Sequence, residues 1–197
     1  AQAKFFIDNP IENYGKWRSA FERPEQPFWL ELGCGKGVST ASLACHTPSI
    51  NLLAVDIKSD ILGVAKRIAE QEFEKNNREI DNLLLTAKNI EQIEQIIAPE
   101  DAVDRLLIYF CNPWPKKGDK KHRLTHPKLL VKYKEFLAPD ALLVFKTDDD
   151  GLFEETQEYL VDSGYAILEA MWELPADHAA AQHQSEHERL FREKGLP

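Results

Sequence analysis

Two acids and three regularly spaced glycines are the first residues of this chain that could do chemistry. Glu31, Gly33, Gly35 and Gly37 form the pattern E-x-G-x-G-x-G at the end of an apolar run, and Asp56 ends the next apolar run. Glycines let a backbone turn sharply and approach a ligand closely. A carboxylate at the end of the second strand can accept hydrogen bonds from both hydroxyls of a ribose. The pattern therefore predicts a nucleoside-binding site.

The spacing of the glycines limits which nucleoside fits. The dinucleotide pattern G-x-G-x-x-G fails because Val38 stands at its sixth position, and the P-loop pattern fails as well. A nucleoside without a pyrophosphate remains. S-adenosylmethionine is such a ligand, and the loop resembles that of class I methyltransferases. Glu31 would face its cationic amino acid part, and Ile57 next to Asp56 is placed in the same site. Singly, either acid could instead be a helix cap or a surface group.

A second group of informative residues follows the fourth apolar run. Asn112-Pro113-Trp114-Pro115 contains two prolines, and each proline fixes its own φ and restricts the residue before it. A stiff loop of this kind holds Asn112 and Trp114 in place, which an in-line displacement requires. Trp114 serves either as a structural pivot or as a surface on which a base stacks.

Basic residues follow this loop in a chain that is acidic overall. Residues 116–134 hold eight Lys or Arg and one acid, a local charge of +7 in a chain of formal net charge −9. Cations at the rim of a cleft bind phosphates without reading a base sequence. We therefore predict a polyanion-binding rim, for which the alternative is a solvated helix face. The residues of this rim nearest the loop are Lys116, Lys117, Lys120, Lys121 and Arg123.

Strand-like and helix-like segments alternate along the chain. The apolar runs predict strands at 28–32, 51–57, 82–87, 103–110, 141–147 and 165–171. Helices are expected at about 37–46, 58–76, 89–98, 127–137 and 151–163. The alternation predicts an α/β fold with a doubly wound, Rossmann-like sheet covered by helices on both faces. Ligands bind such sheets beyond the carboxyl ends of the strands.

Two more strand ends carry candidate residues. Lys88 and Asn89 follow the third predicted strand, where the adenine of the ligand is expected. Asn89 either contacts the adenine edge or caps the next helix. Asp148 follows the fifth strand, in a run of three aspartates that also suits a helix start.

Four segments of the chain together resemble one family. They are NPWPK (112–116), KKHRLTH (120–126), FKTDDDGLFE (145–154) and SEHERLFREKGLP (185–197). They are similar to motifs of the bacterial tRNA (guanine-7-)-methyltransferases, over roughly residues 29–197. The resemblance implies methyl transfer from S-adenosylmethionine to N7 of guanine 46 in the tRNA variable loop. The cofactor contacts that it implies fall on Glu31, Asp56, Asn89 and Asn112. The substrate contacts that it implies fall on Lys116, Asp148 and the segment 185–188, which could also be a surface helix start.

The chain departs from this family's pattern in its loop, its basic run and its end. Asn112 stands where the family often has an Asp that is proposed to be catalytic, and Ser185 stands where a Thr is usual. In the basic run, His122 stands where Arg is usual. The family normally continues past the GLP at 195–197 with a final strand. We therefore expect either a truncated chain or a sheet that lacks its last strand.

Asn112 is nevertheless compatible with methyl transfer. Guanine N7 carries a free lone pair and no proton, so its attack on a methyl group requires no general base. We predict that catalysis is mainly positioning, with Asn112 as an orienting residue. Asp148 would accept a hydrogen bond from the guanine N1–H or amino group, and Ser185 and Glu188 would close the pocket.

Two other functions remain open at this point. An Asn-Pro-Pro-aromatic loop after the fourth strand is typical of amino-group methyltransferases, so the target could be an exocyclic amine of adenine or a glutamine. The chain could also be a noncatalytic RNA-binding protein that keeps the fold. A small-molecule methyltransferase is disfavoured by the basic rim.

Length and composition set the remaining expectations. The 197 residues suit one domain, with residues 1–27 as an N-terminal extension that packs on the core. Three widely spaced cysteines without a CxxC pair argue against a disulfide framework or a zinc ribbon. We expect a cytoplasmic protein that binds tRNA and no membrane or metal, as a monomer or homodimer.

Overall fold

Six parallel strands form a single sheet in the computed structural model, which describes residues 4–175 and 178. The strand order across the sheet is β1-β4-β3-β2-β5-β6. The strands are β1 (Phe6–Ile7), β2 (Phe28–Leu32), β3 (Asn51–Asp56), β4 (Leu83–Ala87), β5 (Val103–Tyr109) and β6 (Leu137–Lys146). Strands β2 to β6 confirm five of the predicted strands, and the doubly wound α/β fold is confirmed with them.

The central strands are apolar because both of their faces are covered. Leu52, Leu53, Ala54 and Val55 of β3 have no exposed surface, as expected for a parallel strand between two helical layers. Such strands have continuous apolar runs in the sequence, and this is why they were predictable. In β3 only the two terminal residues are polar, and the second of them, Asp56, lies at the carboxyl end where the chain leaves the core.

Within the described residues, four α-helices connect or follow the strands. They are α1 (Val38–His46), α2 (Ser59–Lys75), α3 (Pro127–Lys134) and α4 (Asp150–Asp162). Helix α2 buries Leu62, Ala65, Ala69 and Phe73, which form the apolar stripe of a helix with 3.6 residues per turn. The predicted α-helix at 89–98 is wrong in type, because the segment forms a short 3₁₀ helix at Ile90–Gln95 with non-helical φ/ψ at Gln92.

The order of the strands places a switch point at the middle of the sheet. Helices α1 and α2 pack against each other, and α3 packs against α4. From β2 the chain moves outward through β3 to β4, and then crosses to the other side of β2 to form β5 and β6. Because such crossovers are right-handed, this reversal puts the two helix pairs on opposite faces. A crevice therefore opens at the carboxyl ends of β2 and β5, where ligands bind in folds of this type.

The segment before β2 packs on the sheet in a way that periodicity did not predict. Trp17 is fully buried, and its Nε1 donates a hydrogen bond to the Ile96 carbonyl at 2.6 Å. The carboxylate of Asp101 accepts from the backbone N–H groups of Gly15, Trp17 and Ala98. These contacts lie far from the crevice. They support our proposal that residues 1–27 belong to one domain with the sheet.

The predicted strand at 165–171 is wrong. This segment forms no regular structure, and Leu168 within it is 79% exposed. A strand requires a hydrogen-bonded neighbour, and in the described part of the chain β6 is the last strand at its edge of the sheet. Among the residues that the structure describes, no helix is both long enough and apolar enough to cross a membrane.

Candidate active site

The glycine loop connects β2 to α1 through three residues with left-handed backbone. The φ angles of Gly33, Gly35 and Gly37 are 77°, 54° and 71°, a region that other L-residues adopt only with strain. Gly37 also precedes α1 as its N-cap, and a Cβ at this position would lie 2.8 Å from the Cβ of Ala65 on α2. The glycines are therefore required by this turn and by the close approach of α2.

Asp56 ends β3 beside this loop and supports it. Its Oδ2 accepts a hydrogen bond from the Gly35 N–H at 2.9 Å, and its Oδ1 accepts from the Lys58 N–H at 3.1 Å. The next residue, Ile57, is 58% exposed. An acid and an exposed apolar side chain thus stand side by side at the carboxyl edge, next to the glycine turn.

Glu31 lies below the loop in a nearly dry environment. Only 2% of the residue is exposed, and its Oε2 accepts a hydrogen bond from the Thr40 hydroxyl of α1 at 2.7 Å. Burial raises the pKa of the Glu31 carboxyl to about 7, the Thr40 hydrogen bond opposes the rise, Asp56 adds to it, and Lys146 opposes it. The carboxyl is therefore poised to change its ionisation when a cation binds near it.

Lys88 and Asn89 follow β4, on the other side of Asp56. The Lys88 backbone N–H donates to the Asp56 carbonyl at 2.9 Å, and its Nζ donates to Gln95. Asn89 caps the 3₁₀ helix by accepting from the Glu91 N–H at 3.0 Å. The capping role is thus present, and the Asn89 Nδ2 makes no hydrogen bond within the described residues.

The loop after β5, residues 110–117, is strained at two positions. Phe110 and Trp114 have φ angles of 49° and 43° although neither is glycine, which costs about 1–2 kcal/mol each. Asn112 Oδ1 accepts a hydrogen bond from the Trp114 N–H at 3.0 Å and closes a tight turn around Pro113. The side chain of Asn112 is exposed at this turn.

A cavity of about 340 Å³ lies between this loop and the end of β6. It is lined by Phe110, Cys111, Asn112, Pro113, Asp148 and Asp149. Asp149 is the N-cap of α4 and accepts from the Leu152 N–H at 2.7 Å. Asp148 is exposed and makes no hydrogen bond or ion pair within the described chain. Of the three aspartates, Asp149 therefore serves the helix, and Asp148 is left facing solvent beside Asn112's loop.

Leu124, which follows the Asn112 loop, lies against the glycine loop. A Cβ on Gly33 would lie 3.1 Å from the Leu124 Cδ1, and Leu124 and Cys111 both pack against the hydrophobic core. Strands β2 and β5 are adjacent, with Glu31 paired in register with Leu107. The fold therefore brings the ends of β2, β3, β5 and β6 to one edge, as the sequence predicted.

Comparisons with known proteins agree with this arrangement. A family model described as "Putative methyltransferase" matches residues 25–197. A tRNA (guanine-N(7)-)-methyltransferase of Clostridium beijerinckii is 46% identical over 192 residues, which are 98% of this chain and 87% of that protein. A protein with the same name from Ruminiclostridium cellulolyticum is 44% identical over 198 residues, an alignment that spans 100% of this chain and 84% of that protein. The chain belongs to the tRNA (guanine-N(7)-)-methyltransferase family.

A solved structure supports the fold assignment. An antibiotic-related methyltransferase superposes with a TM-score of 0.66 at 15% sequence identity, covering 97% of this chain and 92% of its own. At that identity the likeness concerns the fold alone. It supports the Rossmann-like fold of this member of the tRNA (guanine-N(7)-)-methyltransferase family.

The basic rim of this family member divides into two groups. Lys116, Lys117, Lys121 and Lys128 are exposed, and their Nζ atoms make no hydrogen bond or ion pair with any described residue. The other cations are engaged, for example Lys132 with Glu94 at 2.8 Å. Half of the predicted rim is therefore available to a polyanion in this structure.

Arg123 belongs to the engaged group and does not lie on an open rim. Its side chain is only 3% exposed, Nε donates to the Pro113 carbonyl at 2.6 Å, and Nη1 pairs with Glu155 at 2.7 Å. Lys120 pairs with the other oxygen of Glu155 at 2.5 Å. These contacts favour a supporting role for both residues over the predicted substrate binding, because both cations are already paired and Arg123 is buried as well.

Trp114 is packed rather than free. Its ring lies 5.4 Å from the ring of His122, which in turn hydrogen-bonds to Glu91 at 2.8 Å. The contact supports the prediction that Trp114 is a structural pivot rather than a surface on which a base stacks. Ser185 and Glu188, the residues predicted to close the pocket, lie outside the described residues.

Several residues of the site were not predicted from the sequence. Thr40 and Glu155 have no distinctive neighbours in the sequence, and each acts through a partner on another element. Lys146 lies in a predicted strand and in the segment 145–154, but the sequence assigned it no role of its own. A residue of this kind is recognisable only when its partner is known, so periodicity and motifs contain no signal for it.

Proposed function

We propose that this chain transfers the methyl group of S-adenosylmethionine to N7 of guanine in tRNA, at guanine 46 of the variable loop. The observation that carries the proposal is the arrangement at the carboxyl edge of the sheet. The glycine loop with Glu31 and Asp56 stands next to a stiff Asn112 turn, and that turn faces Asp148 across a cavity. Membership in the family supplies the chemistry that this arrangement would serve.

The glycine-loop side suits the methyl donor. The buried Glu31 carboxyl would pair with the cationic amino acid part of S-adenosylmethionine, which favours its ionised form. Asp56 would accept from the ribose hydroxyls while its backbone-held position stays fixed. Exposed Ile57, with Lys88 and the Nδ2 of Asn89, would line the adenine. S-adenosylmethionine supplies a methyl group activated by its sulfonium.

The Asn112 side suits the acceptor. As guanine N7 bonds to the methyl carbon, the carbon–sulfur bond breaks, its electron pair stays on sulfur, and the positive charge moves to the base. Residues therefore contribute by alignment and by negative potential, not by removing a proton. Asn112 would orient the base, and unpaired Asp148 would accept from its N1–H or amino group. Both line the same cavity.

The exposed lysines suit the tRNA backbone. Lys116, Lys117 and Lys121 follow the Asn112 turn directly and are exposed without a described partner, so they can neutralise phosphates near the cavity. We assign Lys120 and Arg123 to the support of the loop instead. Such an enzyme would act in the cytoplasm, as a monomer or homodimer.

The decisive experiment uses labelled S-adenosylmethionine and bulk tRNA that lacks 7-methylguanosine. We expect label in 7-methylguanosine, with borohydride- and aniline-sensitive cleavage at position 46 of the variable loop. Label in an exocyclic amine would instead support the amino-group reading. In that reading the amine would have to donate to the second lone pair of Asn112 Oδ1, because the first accepts from the Trp114 N–H. Binding of both ligands without transfer would support a noncatalytic RNA-binding protein.

A pair of neighbouring aspartates provides a matched control. Asp148→Asn should lower kcat by about tenfold to a hundredfold, the loss of one charge-assisted hydrogen bond to the base. Asp150→Asn removes the same charge two residues away, on an exposed residue of the first turn of α4, and should leave kcat within about twofold. Equal effects of the two variants would contradict a direct role for Asp148.

A further inference from the structure

We propose that Arg123 and Glu155 form a positioning pair that holds the Asn112 turn and the Asp148 turn at a set separation across the cavity. Neither side chain needs to touch the substrate. The catalytic part of this inference rests on the proposed function, whereas its structural part does not.

Arg123 connects the loop to the interior. Its Nε–H donates to the carbonyl of Pro113, the residue directly after Asn112 and itself part of the cavity wall. Its Nη1–H donates to Glu155 Oε2 at 2.7 Å. The planar guanidinium can make both bonds at once in a fixed geometry, which the single ammonium of a lysine cannot reproduce.

Glu155 connects the same group to the opposite wall. It lies on α4, the helix that begins at Asp150 immediately after Asp148 and Asp149. Lys120 donates to its Oε1 and the Tyr159 hydroxyl to its Oε2. The Lys120 hydrogen bond is the largest cause that lowers the pKa of Glu155, and burial opposes it. The carboxylate therefore stays ionised at neutral pH and can pair with Arg123.

A second contact joins the same two segments. The Thr125 and Thr156 hydroxyls hydrogen-bond at 2.8 Å, and both residues are buried. Thr125 lies two residues after Arg123, and Thr156 is the neighbour of Glu155 on α4. The basic segment is thus fastened to α4 by two neighbouring contacts, so a shift of α4 relative to the Asn112 turn would break both.

The loop needs such a fastening because its own backbone is strained. Phe110 and Trp114 hold positive φ angles that they would relax in a free chain. The Asn112–Trp114 hydrogen bond closes the turn locally but does not set its distance from Asp148. The Arg123 bond to the Pro113 carbonyl ties the centre of the turn to α4 through Glu155, and the Trp114–His122 ring contact packs beside it.

The test compares Arg123→Lys, Arg123→Met and Glu155→Gln with Glu154→Gln. Glu154 is the exposed neighbour of Glu155, without a described hydrogen bond, and serves as the matched control. We expect the first three variants to lower kcat by about thirtyfold to a hundredfold, the scale of a small misalignment of reacting groups. The KM for tRNA should change by less than about threefold at every salt concentration tested. The Arg123→Met and Glu155→Gln double variant should be no worse than the more affected single variant.

A second measurement separates positioning from stability and from the proposed function. Hydrogen exchange of the Trp114 amide in the protein without ligands should be faster in Arg123→Met and Glu155→Gln, and unchanged in Glu154→Gln. This readout remains valid if the wild-type protein does not methylate tRNA, an outcome that would sink only the proposed function. Thermal unfolding of each variant shows whether it is folded, and Arg123→Lys serves if Arg123→Met is not.

Two results would overturn the inference. If Arg123→Met leaves kcat unchanged and instead weakens the salt dependence of tRNA binding by about one unit, Arg123 is a phosphate contact. If folded Arg123 and Glu155 variants exchange the Trp114 amide at the wild-type rate and keep the wild-type kcat, the pair positions nothing.

Discussion

The glycine loop (residues 33–37) and the Asn112 loop (residues 110–117) meet at one edge of the sheet but are held by different means. The glycine loop is held by nearby backbone groups, with Gly33 N–H bonded to the Val55 carbonyl and Gly35 N–H to Asp56. The Asn112 loop is held by an arginine ten residues further along the chain and by a glutamate on α4.

The difference follows from residue type. Glycine adopts a positive φ without a Cβ clash, so a glycine turn needs little external support. Phe110 and Trp114 adopt a positive φ only at a cost of about 1–2 kcal/mol each, so contacts from elsewhere must offset that strain. One wall of the site is therefore encoded locally, and the other depends on tertiary structure.

The two regions also differ in electrostatics. Around Glu31, burial and the neighbouring Asp56 raise the pKa of the carboxyl. Around the Asn112 loop, a His122 hydrogen bond lowers the pKa of Glu91, and a Lys120 hydrogen bond lowers that of Glu155. A cation bound near Glu31 would therefore be stabilised by its carboxylate. Near the Asn112 loop the acids are already paired with cations, so the exposed lysines remain to bind an anion.

The largest expected effect tests the glycine loop, the wall of the site that is encoded by adjacent residues. Gly37→Val would force a β-branched residue into a φ of 71° and place its Cβ 2.8 Å from Ala65. We expect S-adenosylmethionine affinity to fall at least about a hundredfold, or roughly 3 kcal/mol, as measured by calorimetry. Gly35→Ala is the control, because its Cβ meets nothing within 4 Å and only the φ strain of about 1–2 kcal/mol remains. Equal losses in both variants would show that α2 packing is irrelevant to the loop.

The second prediction uses pH to test the buried carboxyl of Glu31. The folded-state pKa of Glu31, about 7, lies above its ordinary value of 4.5, so the folded protein binds this proton more tightly than the unfolded chain. Stability without ligand should therefore fall as pH rises from about 4.5 to 7, by up to about 3 kcal/mol. Glu31→Gln should remove this slope in chemical denaturation and should match or exceed the wild type at pH 8.

Ligand affinity should show the opposite trend at the same residue. Because ionised Glu31 would pair with the cationic group of S-adenosylmethionine, wild-type affinity should rise between pH 6 and 8. In Glu31→Gln it should be lower by about tenfold to a hundredfold at pH 8 and nearly independent of pH. A Gln variant with the wild-type pH profile would rule out this pairing.

The third effect tests the exposed lysines. Replacing Lys116, Lys117 or Lys121 by Gln should reduce the log–log salt slope of tRNA binding by roughly 0.7–0.9 each, about a threefold change in affinity per fourfold change in salt. Lys75→Gln is the control, since Lys75 is exposed at the end of α2 and thus at the opposite edge of the sheet. If none of the three lysine replacements changes the salt slope, the tRNA binds elsewhere on the protein.

The smallest expected effect concerns Asn112. Asn112→Asp keeps the shape of the side chain and the acceptor for the Trp114 N–H, and N7 methylation needs no base. Turnover should therefore stay within about tenfold of the wild type, or ~1.4 kcal/mol. A thousandfold change in either direction in single-turnover assays would show that the charge at this position, and not its placement, limits the reaction.

Much of the fold followed from the sequence because it depends on local patterns. The continuous apolar runs of β2 to β5 and the stripe of α2 are direct consequences of burial on two faces or on one. The segment 165–171 shows the limit of this reasoning. Its apolar residues resemble a strand, but strand formation depends on a neighbour, and no pattern within seven residues states whether one is present.

The sequence alone determined which residues stand at the strand ends, because a glycine pattern, an acid at the end of β3 and a stiff Asn-Pro-Trp turn are properties of adjacent residues. Only the tertiary structure decided which charges are free. Arg123 and Lys116 look alike in the sequence, yet one is buried against Glu155 and the other is exposed. Pairing depends on distance in space, and Glu155 lies 32 positions from Arg123 along the chain.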